Sequence, residues 1–127
     1  MIKSIMALFL LLFPLLCFSK ENRCGWLENP SPANYWLTDK DGEWTISTQG
    51  KQDAAGMDKL VGFSNSEFIK TNGVYGYGCA CITVDSDHKI KKILTIYQFK
   101  ALPIRQCKID KTLKRKTEDI MIESHED

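Results

Sequence analysis

Cys79-Ala80-Cys81 is the group of residues in this chain with the clearest capacity for chemistry. Two thiolates at that spacing can hold a soft metal or take part in thiol–disulfide exchange. Residues two apart on a strand face the same way, so both sulfurs leave one side of it. Bonding them to each other would strain a tight ring. Each is therefore expected to reach a distant partner, and Cys24 and Cys107 stand near the two ends of the domain. No C-x-x-C redox motif occurs in the chain. Four cysteines allow three connectivities; the expectation is two structural disulfides joining Cys79 and Cys81 to Cys24 and Cys107, with which pairs with which left open.

The other chemistry-bearing residues do not assemble a catalytic set. His88 follows Asp85-Ser86-Asp87, which puts hydroxyl, carboxylate and imidazole close in sequence. A triad needs those groups to converge on a pocket from different elements, whereas neighbours in one polar turn face water. His125 lies among charged residues and carries no argument. Asp39-Lys40-Asp41-Gly42 has the look of a calcium loop, but placing Gly42 sixth puts Leu37 first and Thr48 twelfth, where carboxylates are needed. Gly76-Tyr77-Gly78 lacks the third glycine and the following helix of a dinucleotide fingerprint. No two of the 16 acidic residues are marked out as a glycosidase pair. The expectation is a protein that is not an enzyme, with no cofactor and no metal.

Residues 1–19 read as a secretory signal peptide. Lys3 supplies the positive start, Ile5 to Cys17 is almost wholly apolar, and Ser19 suits the position before a cut. The apolar run is shorter than the roughly 20 residues that span a bilayer, so no membrane span is expected once it is removed. A lipid anchor on Cys17 is disfavoured by bulky Leu16 just before it. Cleavage takes one of the 17 basic residues, Lys3, and none of the 16 acidic ones, so the mature chain is formally neutral. A neutral chain is a poor phosphate binder, and nucleic acid is not an expected partner. The expected location is periplasmic or secreted.

These features need a scaffold, and the scaffold reads as mostly β. Lys20 to Asn34 is expected to be irregular, because Pro30 and Pro32 punctuate it. Tyr35–Thr38 and Glu43–Ser47 form a hairpin around a four-residue loop, Asp39-Lys40-Asp41-Gly42. Thr48 to Ser66 is a loop with a short helical turn within Ala54–Leu60. Glu67–Thr71 is a strand that a type I′ turn at Asn72-Gly73 folds back into the cysteine-bearing strand. Along the latter, Tyr75, Tyr77, Cys79, Cys81 and Thr83 share one face; Gly76, Gly78, Ala80, Ile82 and Val84 share the other. The small residues of the second face leave room for a bulky neighbour, expected to be a tryptophan of the first hairpin. Asp85–Lys89 is a polar turn and Ile90–Lys100 a last strand.

The fold class is thus a small antiparallel meander sheet or open barrel stapled by two disulfides, with a short C-terminal helix. The domain occupies residues 20–107. Residues 108–127 are a charged tail or frayed helix, in which Lys114 with Glu118 and Arg115 with Asp119 have helical spacing. What remains for function is a surplus of large rings. Tyr35, Trp36, Trp44, Tyr75 and Tyr77 are the candidate binding residues, suited to a protein interface or to stacking on sugars. The leading expectation is an exported, non-enzymatic binding module of the inhibitor or immunity type, whose partner is another periplasmic or secreted protein. The alternative is a glycan- or peptidoglycan-binding domain; a thiol-redox protein is the third reading.

The stretch Arg23-Cys24-Gly25-Trp26-Leu27-Glu28-Asn29-Pro30-Ser31-Pro32-Ala33-Asn34-Tyr35-Trp36-Leu37, with Asp41-Gly42-Glu43-Trp44 and Lys70-Thr71-Asn72-Gly73 through Cys81, resembles a family of small exported bacterial proteins catalogued as a domain of unknown function. The resemblance runs from about Arg23 to Cys107 and takes in all four mature cysteines. It implies a periplasmic, cysteine-crosslinked domain, and it brings no activity, cofactor or site residue.

Overall fold

The computed structural model describes residues 20–113. Six strands carry the fold: β1 (Glu21–Ser31), β2 (Asn34–Asp39), β3 (Gly42–Ser47), β4 (Phe68–Asn72), β5 (Tyr75–Asp87) and β6 (Lys92–Leu102). One short helix, α1 (Ile104–Lys108), follows them. β1–β2–β3 and β4–β5–β6 are two antiparallel meanders. β1 also pairs with β5 from Glu21 opposite Val84 to Asn29 opposite Gly76. On the far side β3 meets β6 in parallel at Thr45 and Lys92. That contact is short, and the chain after β3 reinforces it. The Ala54 N–H donates to the Ile46 carbonyl (3.0 Å), the Ala55 N–H to Leu94 (2.9 Å), and the Ile96 N–H to Ala55 (2.8 Å). β1, β2, β3, β6 and β5 thereby close a small barrel, and β4 continues the wall beside β5 where β6 has ended.

Period-two alternation fills the inside of that barrel. Leu27, Leu37, Trp44, Ile46, Ala80, Ile82, Val84, Ile93 and Ile96 form the inner core. The other face of β1 and β5 carries a second cluster of Trp26, Tyr77, Cys79, Leu102, Cys107 and Leu113. Trp26 and Tyr77 meet edge to face there, with centroids 5.3 Å apart. The expected two faces of the cysteine strand are therefore both buried, each against its own cluster.

The disulfides are Cys24–Cys81 and Cys79–Cys107. Cys24 and Cys81 are register partners across β1 and β5, with Cα atoms 4.0 Å apart, as at the closer, non-hydrogen-bonded sites of an antiparallel ladder. Cys79–Cys107 fastens α1 to the outer face. Both ends of the domain are tied to one strand. Packing continues past Cys107 to Leu113, while the remaining tail, like the expected signal peptide, lies outside the described residues.

The irregular segment expected at Lys20–Asn34 is instead the strand β1. Along it Arg23, Gly25 and Leu27 face inward while Cys24 and Glu28 face out. Pro30 falls where the β1–β2 register slips between Glu28 and Ser31, so its missing N–H breaks no ladder bond. The Asn29 side-chain amide donates to the carbonyls of Ser31 and Asn34 there, both at 2.9 Å. Gly25 is required nearby, because a Cβ would lie 2.0 Å from the Thr38 carbonyl oxygen.

Three turns also differ. Asp39 pairs with Gly42, so the first hairpin's loop is Lys40-Asp41 alone. Asn72 pairs with Tyr75, leaving Gly73-Val74 as the loop, with Gly73 at φ 62°. A type I′ turn needs positive φ at both loop residues, and Val74 does not have it, so the expected I′ turn at Asn72-Gly73 does not form. β5 runs on to Asp87, paired with Lys92, and the turn is His88 to Lys91. Asp85 and Ser86 are held in the strand by their partners, the Tyr97 hydroxyl and the Glu21 carboxylate respectively. The ring lying over the small residues of β5 is Phe63 from the loop; a Cβ on Gly78 would sit 2.5 Å from it. Trp44 packs elsewhere in the same core.

Candidate functional site

The barrel has two unlike ends. At one, β5 passes its edge from β6 to β4, with Leu102 opposite Cys79 and Phe68 opposite Gly78. Among the described residues β4 pairs with β5 alone. The loop segment from Leu60 to Phe63 borders the opening there. The result is a cleft of about 410 Å³, lined by Leu27, Asn29 and Tyr35 from β1 and β2, by Leu60 to Phe63 and Asn65 from the loop, and by Phe68, Lys70 and Val74. Phe63 is wedged there between Phe99 (5.1 Å, edge-on) and Phe68 (5.4 Å). Val61 and Val74, 70% and 73% exposed, stand at the rim. Lys70 is the one charged side chain in the lining.

The five expected binding rings divide by face. Trp44 and Tyr77 are 1% and 4% exposed and present no ring to a partner. Tyr35 is half-buried and lines the cleft. Burial, and then the neighbouring Tyr75 phenol, holds its hydroxyl above the usual tyrosine range. Tyr75 is half-buried too. Trp36 lies half-buried with its indole N–H donating to Glu28 at 2.6 Å.

The opposite end is closed by charge. Arg23 projects inward from β1, ion-paired with Glu21 (2.6 Å), Asp39 (2.8 Å) and Asp41 (3.3 Å), and its guanidinium lies 3.6 Å from the Trp44 ring centroid. Trp44 donates its indole N–H to Asp39 at 3.0 Å. Burial opposes the Arg23 charge, but the Asp39 and Glu21 carboxylates outweigh it and raise the arginine's pKa. At Glu21 burial acts upward, and hydrogen bonds from His88 and Ser86 together with Arg23 pull the carboxyl below its usual range. His88 Nε2 and the Ser86 hydroxyl both bond to Glu21, so the carboxylate separates serine from imidazole. In a serine nucleophile's relay the imidazole stands in the middle. This end reads as a plug over the core. Among the described residues no group of three or more His, Cys, Asp or Glu side chains is arranged to hold a metal.

The family model described as a protein of unknown function (DUF4087) matches residues 18–114. The chain belongs to that family. The match spans the whole described barrel, both disulfides and both of its ends. No curated protein and no solved structure matches the chain.

In this DUF4087 chain sequence reasoning found Tyr35 but missed the rest of the cleft. Leu60, Val61 and Phe63 sit in a stretch without periodicity and gave no signal. Arg23, Glu21 and Asp39 were missed for a different reason. Glu21 and Arg23 are charged residues at inward positions of β1, so the stretch shows no apolar alternation, and the neighbouring prolines marked it as irregular.

Proposed function

We propose that this domain works outside the cytoplasm, in the periplasm or after secretion, as a non-enzymatic module that binds another protein in the manner of an inhibitor or immunity protein. The observation that carries the reading is the apolar cleft with its exposed valine rim. A soluble domain gains nothing in stability from displaying Val61 and Val74 beside an open apolar slot, whereas a partner's apolar anchor would be desolvated there. The two disulfides fit an oxidising compartment. No described helix is long and apolar enough to cross a membrane.

The test is affinity capture from periplasmic extract and culture medium with the mature domain and with a V61D/V74D variant. The reading predicts a protein retained by the first and lost from the second. Identical retained sets would count against it. A glycan ligand is the second reading, favoured by the half-buried Trp36 ring beside the Glu28 carboxylate. Titration with muropeptides would then change tryptophan fluorescence in the native domain but not in Trp36→Phe.

A further inference from the structure

We infer that the partner is held by strand addition: an extended segment of it pairs with the free edge of β4, sets an apolar side chain in the cleft and brings an acidic group to Lys70. This rests on the protein-binding reading above and adds how the segment is recognised. β4 is five residues long and, among the described residues, is hydrogen-bonded on one side only. Its last three residues, Lys70, Thr71 and Asn72, are exposed. Phe68 and Lys70, two apart, both line the cleft, so this face of β4 is continuous with it. A strand laid about 4.8 Å outside β4 sets alternate side chains over that same face. Main-chain bonds would then supply affinity while the cleft selects the side chain.

A lysine on a short edge strand often serves only to repel another strand. Here Lys70, though exposed, also lines the cleft, and it makes no ion pair among the described residues. As the single charge in an otherwise uncharged lining, it complements a carboxylate. Spacing follows from the register: Phe68 and Lys70 are two residues apart, so the segment's apolar and acidic residues should be two apart as well. Asn65 also lines the cleft, and its amide is available to the same carboxylate. The occupant is therefore an extended peptide segment with the pattern apolar-x-acidic.

The test is a ¹⁵N NMR titration of the mature, disulfide-bonded domain with the synthetic peptide acetyl-Thr-Thr-Leu-Thr-Glu-Thr-Thr-amide. Expected are amide shifts at Phe68–Asn72 and around the cleft, abolished when alternate peptide nitrogens are methylated. Lys70→Glu should weaken the glutamate peptide about fivefold, the scale of an exposed ion pair, and a lysine version of the peptide should recover binding to that variant. Shifts confined to the cleft and indifferent to N-methylation would overturn strand addition. So would the absence of shifts at millimolar peptide, and protein capture that still depends on Val61 and Val74 would then leave the binding reading standing. If sodium octanoate produces the cleft shifts and the peptide none, the cleft takes a fatty acyl chain and both readings fall.

Discussion

Replacing Arg23 with methionine should destabilise the domain far more than a surface substitution does. Methionine keeps most of the volume over Trp44 and removes the charge. Asp39, 5% exposed, then loses its counter-ion and keeps only the Trp44 indole and Asp41 backbone N–H bonds. Breaking a buried pair from one side costs about 3–5 kcal/mol, and the two surviving hydrogen bonds place this case near the lower figure. Adding Asp39→Asn neutralises the stranded carboxylate and should recover about 1–2 kcal/mol of the loss. A pH signature accompanies it. The folded-state pKa of Glu21 is lowered, so its contribution is present above the ordinary carboxylate range and lost as pH falls through the folded value. The wild type should lose stability through that acid window, and R23M should lose less. Guanidinium unfolding at neutral and acid pH measures both. A loss below about 1 kcal/mol at unchanged denaturant slope would show the cluster to be no more than a surface ion pair, and would refute the plug.

Other outcomes follow from the same geometry. Gly78→Ala forces a methyl against Phe63 and should cost about 1–3 kcal/mol in unfolding experiments; if adding Phe63→Ala makes matters worse, that contact is not the cause. Graded dithiothreitol with alkylation and peptide mapping should open Cys24–Cys81 first, because Cys24 is exposed while Cys79 and Cys107 are buried. Simultaneous opening would contradict this order. Mutating Cys79 and Cys107 together to alanine should remove about 3–4 kcal/mol through the loop that spans a 28-residue separation. The Tyr35 hydroxyl should titrate by NMR above the usual value of about 10, and an ordinary titration would mean the cleft wall is wetter than described.

How much of this was legible in the sequence depended on how local the cause was. The faces of β5 and the anchoring of both chain ends to it could be read from Tyr77, Cys79 and Cys81 against Gly78, Ala80 and Ile82, because strand period is a local rule. The pairing of Cys24 with Cys81 could not, since it is set by the β1–β5 register. β1 itself was hidden by Pro30 and Pro32, which signal a break unless they fall at a register slip, as Pro30 does. The charge plug joins residues near 21–23, 39–41 and 86–88, three stretches that look like solvated turns or termini when read alone. The cleft draws on four segments, of which only the one containing Tyr35 carried a visible marker. Phe63 took the place expected of a tryptophan because the loop after Ala55 is pinned to β6 and delivers it there.

We propose that the open apolar end of the barrel meets a protein partner and the charged end does not. Photo-crosslinking decides it most directly, with a photoreactive phenylalanine analogue replacing Val61 at the cleft rim or Lys40 in the turn beside the plug. Protein carrying the probe at residue 61 should form a discrete adduct with one protein, and protein carrying it at residue 40 should form none. Adducts of equal yield at both positions, or an adduct at residue 40 alone, would contradict the account.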